Sequence, residues 1–171
     1  MRALFLNGSL KRSNRPSRLQ DEATPVLELL EERGVHVTTI RLADWTIPIG
    51  TGRNCGRGDQ YPEIEERILL SNLVIFGTPV ATGVGTSVIH RLFERMESIP
   101  EDAIARIAAA IVIASYHGPE QDIATDAMVN SVSRMNFRVR IGTVLYRHGM
   151  NPEHAATVMF DNIYVPKGER G

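Results

Sequence analysis

Short apolar runs and helical stripes alternate along the whole chain. Residues 3–6 form a brief apolar run ending at Asn7-Gly8, as expected of a buried strand. Leu19, Ala23, Val26, Leu27 and Leu30 then repeat at helical spacing, and Gly34 is a good stop. Pro16-Ser17 suits the start of that helix, and Pro25 inside it predicts a kink or a late start. Residues 35–42 alternate and are β-branched, which reads as a second strand.

Residues 44–62 carry glycines and prolines without an apolar period and read as a long loop, a length that is usually functional. A short helix is expected at 63–71, a continuous apolar strand at 73–77 and a second Gly-rich loop at 78–86. Residues 87–96 are amphipathic, with Val88, Ile89, Leu92, Phe93 and Met96 on one side. Residues 107–114 are the next buried strand, and 115–119 a third loop. A helix at 120–136 turns Ile123, Ala127, Val132 and Met135 inward. A last strand is expected at 138–146 and a final helix from Asn151 through Phe160. No repeat interrupts this order.

Alternation of strand and helix predicts a parallel sheet covered on both faces by right-handed crossovers. The expected fold class is α/β, a three-layer flavodoxin-like fold with a five-stranded parallel sheet in order 2-1-3-4-5. Its ligand crevice lies at the carboxyl ends of the first, third and fourth strands. Those are the strands followed here by Gly/Ser-bearing loops.

Composition narrows the function. The chain has 171 residues, 43% of them apolar, and a net charge of −1. That fits one domain over 1–171 and argues against nucleic-acid or membrane partners. The longest apolar run, 107–114, is far short of a membrane span, and Met1-Arg2 enters a strand directly, without a secretory leader. A single cysteine, Cys55, rules out an internal disulfide and a multi-thiolate metal site, and fits a reducing cytoplasm. Only Lys11 and Lys167 are lysines, yet Lys11, Arg12, Arg15 and Arg18 all fall in the first loop.

That loop, between an apolar strand and a helix, gathers hydroxyls, backbone N–H groups, cations and a helix N-terminus, the groups that hold a phosphate. Ser9, Lys11, Ser13, Asn14 and Ser17 are the candidate ligands. The second loop offers Thr78, Pro79, Val80, Ala81, Thr82 and Gly83, the third Ser115, Tyr116, His117 and Gly118. Cys55 reads as a plain loop cysteine; His36, His90, His148 and His154 have no metal-ligand spacing; Trp45 reads as an anchor of the long loop.

On these loops the chain resembles the flavodoxin-like NAD(P)H-dependent FMN reductase superfamily over roughly residues 1–146. Gly8-Ser9-Leu10-Lys11-Arg12-Ser13-Asn14-Arg15-Pro16-Ser17-Arg18-Leu19 is similar to the family's Gly-Ser opening and Ser-Asn-Thr turn. The stretch from Thr78-Pro79 through Ser87 to Arg95 is similar to TPxYxGxxSxxxKxxxDR, and Ala114-Ser115-Tyr116-His117-Gly118 stands where close relatives have TGNEDG. Arg18 and Leu19 replace the Asn and Thr of the first motif if Ser17 takes its serine, or Arg15 replaces the Thr if Ser13-Asn14 plays that part, and Ala81 and Thr82 stand where many relatives carry aromatics.

The resemblance implies a cytoplasmic flavoprotein oxidoreductase. FMN would take a hydride from NADH or NADPH and pass electrons to a small acceptor such as a quinone, free flavin or nitro compound. It also implies a homodimer or homotetramer, with the long loop or the tail supplying contacts. No side-chain acid or base is demanded, and no catalytic residue is named. A flavodoxin-type electron carrier is the first alternative, disfavoured by the near-zero charge. A fold relative that has lost flavin is the second. Neither a G-x-S-x-G elbow nor a G-x-x-x-x-G-K-[ST] loop is present, which disfavours a hydrolase and a nucleotide triphosphatase.

Overall fold

All strand pairings in the computed structural model are parallel, as a chain of β-α-β crossovers requires. Residues 1–80, 83–115, 120–137, 139–140 and 151–163 are described. The strands are β1 (Arg2–Asn7), β2 (His36–Arg41), β3 (Leu73–Val80), β4 (Ala108–Ser115) and β5 (Val139–Arg140). The four longer ones run in the order β2-β1-β3-β4, and the two-residue β5 pairs with Ala108 and Ala109 of β4. Of the fifth strand expected at 138–146, only these two residues are seen as strand. Among the described residues the sheet therefore has four full strands, and the rest of the expected fifth lies outside them.

The helices are α1 (Arg18–Glu32), α2 (Tyr61–Leu69), α3 (Ser87–Met96), α4 (Glu101–Ile104), α5 (Glu120–Arg134) and α6 (Pro152–Ile163). Side chains alternate across a strand, so β1 feeds two cores. Leu4 and Leu6 join Val74, Phe76, Ile64, Ile68, Ile89, Leu92 and Met128 on the side of α2, α3 and α5. Ala3 and Phe5 join Ile75, Leu19, Ala23, Val26, Leu30 and Met159 on the side of α1 and α6. Phe76 meets Phe93 and Phe137 edge-on, with centroids 5.3 Å and 5.7 Å away. The Phe5 ring crosses Gly77, where an added Cβ would lie 2.5 Å from it; only glycine fits there.

The α1 stripe is buried as its spacing predicts. The helix continues through Pro25 without a late start, because packing of its apolar face outweighs one missing N–H. Three expectations are corrected. First, β3 extends to Val80, so Thr78, Pro79 and Val80 are strand and not loop; they pair with Ile113, Ala114 and Ser115, whose own strand is equally long. Second, α5 turns in Ala124, Met128 and Val132, while Ile123 is 63% exposed. The first half of the inward stripe is one residue out of phase with the pattern read from the sequence, while Val132 is buried and Met135 packs against the core as expected. Third, α2 starts at Tyr61, and α4 was not expected.

Candidate functional site

At the carboxyl ends of β1 and β3 two helix N-termini converge on one cavity of about 630 Å³. The start of α1 contributes Ser17, Arg18 and Leu19, and the start of α3 contributes Thr86, Ser87 and His90. Ser9, Leu10, Lys11, Pro79, Val84 and Gly85 complete the lining, and none of these residues is acidic. N–H groups of a first helical turn have no intrahelical acceptor, so both termini offer donors and a positive dipole end to this space.

The mouth is locked by hydrogen bonds between its loops. The Gly8 N–H donates to the Gly77 carbonyl at 2.8 Å, so close that a Cβ on Gly8 would lie 2.7 Å from that oxygen. The Thr86 hydroxyl donates to the Gly8 carbonyl at 2.6 Å, and the Thr86 N–H donates to the hydroxyl of buried Thr78 at 3.0 Å. Fully buried Asn7 accepts the Ser9 N–H at 3.0 Å and donates to Gln20 at 2.9 Å, tying the turn to α1. The Ser9 hydroxyl in turn accepts the Lys11 N–H at 3.2 Å.

Ser9, Lys11, Ser17 and Pro79 are thus brought together. Ser17 is the N-cap of α1, yet its side chain makes no capping bond, and it is 4% exposed. Among the described residues no carboxylate pairs with Lys11, whereas Arg18 binds Glu22 at 2.5 Å. Ser13 and Asn14 do not line the cavity; the Ser13 N–H is taken by the Asp44 carboxylate at 3.1 Å and 3.2 Å. Val80 is buried in the core on the α3 side, and Gly83 is buried with a positive φ of 74°. Ser115 ends β4 beside Val80. Ala81, Thr82, Tyr116, His117 and Gly118 lie outside the described residues, as does His148.

His90, read from the sequence as an ordinary surface or core residue, lies in the cavity wall. Trp45 anchors the long loop as expected, with the Arg67 guanidinium 5.4 Å from its ring. His36 and His154 are exposed, and no cluster of three metal-ligating side chains exists among the described residues.

Sequence reasoning missed Arg95, on the buried face of α3. Its guanidinium is wholly sealed from solvent and donates to the carbonyls of Gly52 (2.8 Å), Pro48 (3.2 Å) and Arg53 (3.0 Å) and to the Asp59 carboxylate (2.6 Å). It also lies 4.5 Å over the Tyr61 ring. Arg91, one turn back, donates to the Ile47 carbonyl at 3.1 Å. The long loop is therefore stapled to the helix whose first turn walls the cavity. Burial raises the Asp59 carboxyl, but hydrogen bonds from Arg95 and from the Cys55 and Tyr61 N–H groups outweigh it, and the net shift is downward. Burial, then the Glu65 charge, pushes the Tyr61 phenol up. Cys55 is exposed and its thiol reaches only the Gly52 carbonyl, at 3.7 Å. The one mark of Arg95 in the sequence is that it closes the family-like stretch that begins at Thr78-Pro79; its partners in the long loop carry none.

A parallel sheet in this order, with its crevice between the first and third strands, defines a flavodoxin-like α/β protein. The sequence pattern of the NADPH-dependent FMN reductase family matches residues 1–149, and the chain belongs to that family.

Over 163 residues the chain is 22% identical to 8-demethyl-8-aminoriboflavin-5'-phosphate synthase of Streptomyces davaonensis, covering 85% of this chain and 63% of that protein. A 100-residue stretch is 30% identical to the divalent metal cation transporter MntH of Mycobacterium bovis, covering 56% of this chain and 15% of the transporter. The chain thus spans less than two thirds of either curated relative. Among the described residues no helix is long and apolar enough to cross a membrane. The crystal structure of RosB with bound 8-demethyl-8-formylriboflavin-5'-phosphate superposes with a TM-score of 0.75 at 17% identity, covering 95% of this chain and 76% of that one. FerB, a flavoenzyme NAD(P)H:(acceptor) oxidoreductase from Paracoccus denitrificans, gives 0.60 at 17% identity, covering 88% and 78%. These likenesses establish the fold.

Proposed function

We propose that the cavity between the α1 and α3 N-termini takes the flavin 5'-phosphate, and that the protein passes electrons from NADH or NADPH to a small acceptor. The observation that carries this reading is the donor set. Lys11, Ser9, Ser17 and two helix N-termini line one space, and none of its described lining residues is a carboxylate. A dianion is matched there by charge and by donors. The volume suits a ligand of cofactor size.

In this proposal Ser17, and not the Ser13-Asn14 pair, holds the phosphate. Pro79 and residues 80–83 border the flavin ring on one side, and Ser115, Tyr116, His117 and Gly118 border it on the other. When bound, FMN supplies hydride acceptance and electron release. The chain supplies position, and Leu10 and Val84 at the rim keep water from the site. Quinones, free flavin and nitro compounds are the acceptor classes. The family assignment, one domain over the chain, a completed five-stranded sheet, a homodimer or homotetramer and a cytoplasmic location form one picture with this reading.

The test is the visible spectrum of the purified protein before and after loading with FMN. Retained bands at about 370 and 450 nm support the reading; a colourless protein that holds no FMN removes it. Oxidation of NADH and NADPH against each acceptor class then assigns donor and acceptor. A second reading follows from the likeness to the 8-demethyl-8-aminoriboflavin-5'-phosphate synthase. There the flavin phosphate is substrate, and its recovery with unchanged mass after incubation would exclude this.

A further inference from the structure

Arg41, the last residue of β2, donates from a single Nη1 to three carbonyls of the first loop: Lys11 at 3.5 Å, Arg12 at 3.3 Å and Arg15 at 3.1 Å. Three residues further on, Asp44 accepts the Ser13 N–H on both carboxylate oxygens. A fixed cation thus gathers carbonyls, a fixed anion gathers an N–H, and both stand on the edge-strand side of the loop. Neither residue lines the cavity. Between Lys11 and Arg15 the internal bond that is seen runs from the Arg15 N–H to the Arg12 carbonyl. The rest of the loop's course is set from outside it.

The consequence is electrostatic as well as steric. Peptide carbonyls left on the cavity side would repel a phosphate. With three of them drawn to Arg41, the loop turns the negative ends of those dipoles away, and Ser9, Lys11 and Ser17 remain toward the cavity. We propose that Arg41 and Asp44 are positioning residues of the phosphate-binding loop, which set its preference for a phosphorylated over an unphosphorylated flavin. This rests on the flavin-phosphate reading above. Because one nitrogen meets all three carbonyls, a lysine ammonium, with three donors of its own, should replace Arg41 in part.

The experiment measures dissociation constants of FMN and riboflavin, by flavin fluorescence, for the wild-type protein and for R41Q, R41K and D44N. Far-UV circular dichroism confirms folding of each; if R41Q does not fold, R41K and D44N carry the test. Expected is a weakening of FMN binding by about tenfold or more in R41Q and by less in R41K and D44N. Riboflavin affinity should move by less than about twofold. FMN and riboflavin weakening in parallel, or neither changing, would overturn the inference while leaving the flavin-phosphate reading intact. A wild-type protein that does not distinguish FMN from riboflavin would overturn that reading itself, and this inference with it.

Discussion

Arg95 and Asp59 meet at 2.6 Å with both side chains closed to solvent, 36 residues apart in the chain. One end of the pair is fixed in α3 and the other in the long loop before α2. Around it the loop's carbonyls turn inward to a single guanidinium, so a segment without an apolar period acquires a defined path.

Replacing Arg95 with Met leaves the Asp59 charge buried and three carbonyls without their donor. The expected cost is about 3–5 kcal/mol, read from urea unfolding. The double variant R95M/D59N should recover part of it. A loss below 1 kcal/mol in R95M would show that the staple contributes little.

Acid should release the same staple. Asp59 has a folded-state pKa below its unfolded value. Its contribution is complete above the unfolded value, near pH 4, and is lost as pH falls through the folded one. The acid limb of stability against pH should therefore flatten in D59N, followed by urea midpoints between pH 2 and 7. An unchanged limb would assign acid sensitivity to other carboxylates.

The Tyr61 hydroxyl is buried with no hydrogen-bond partner among the described residues. Tyr61→Phe removes a desolvated polar group and forfeits no bond, so stability should be unchanged or slightly higher. Tyr61→Ala, which empties the space beneath Arg95, should cost about 3–5 kcal/mol. Thermal melts of the two variants decide it.

Ser17 separates a capping role from a ligand role. Loss of an N-cap bond usually costs about 1 kcal/mol, but Ser17 makes none. S17A should unfold within about 0.5 kcal/mol of wild type, while its FMN dissociation constant rises several-fold. Equal affinity in S17A would move the phosphate contact to another residue of the loop.

Thr86 and Gly8 hold the mouth together through the 2.6 Å hydroxyl–carbonyl bond. T86V should cost about 1–3 kcal/mol by leaving that carbonyl unsatisfied. G8A, whose new Cβ would press on the Gly77 carbonyl, should cost a similar amount through displaced backbone. Both should lower Tm, and a neutral T86V would mean that water replaces the hydroxyl.

What the sequence determined is what depends on near neighbours. The stripe Leu19, Ala23, Val26, Leu27 and Leu30 marks a helix because those positions share one face within a few turns. The order of strands and helices then implies parallel pairing and a crevice at the strand ends, where Ser9 and Lys11 were legible as residues of the loop that follows; Pro79, read as loop, ends up inside β3. Tertiary structure decided the remainder. Ser13 and Ser17 are equivalent in composition, and only the folded structure shows Ser13 held by Asp44 beside the edge strand and Ser17 in the cavity wall. Arg95 closes the family-like stretch, but its partners, 36 to 47 residues upstream, carry no local mark. An ion pair or a carbonyl cluster has no period along the chain, so it becomes visible only once the backbone has brought its members together.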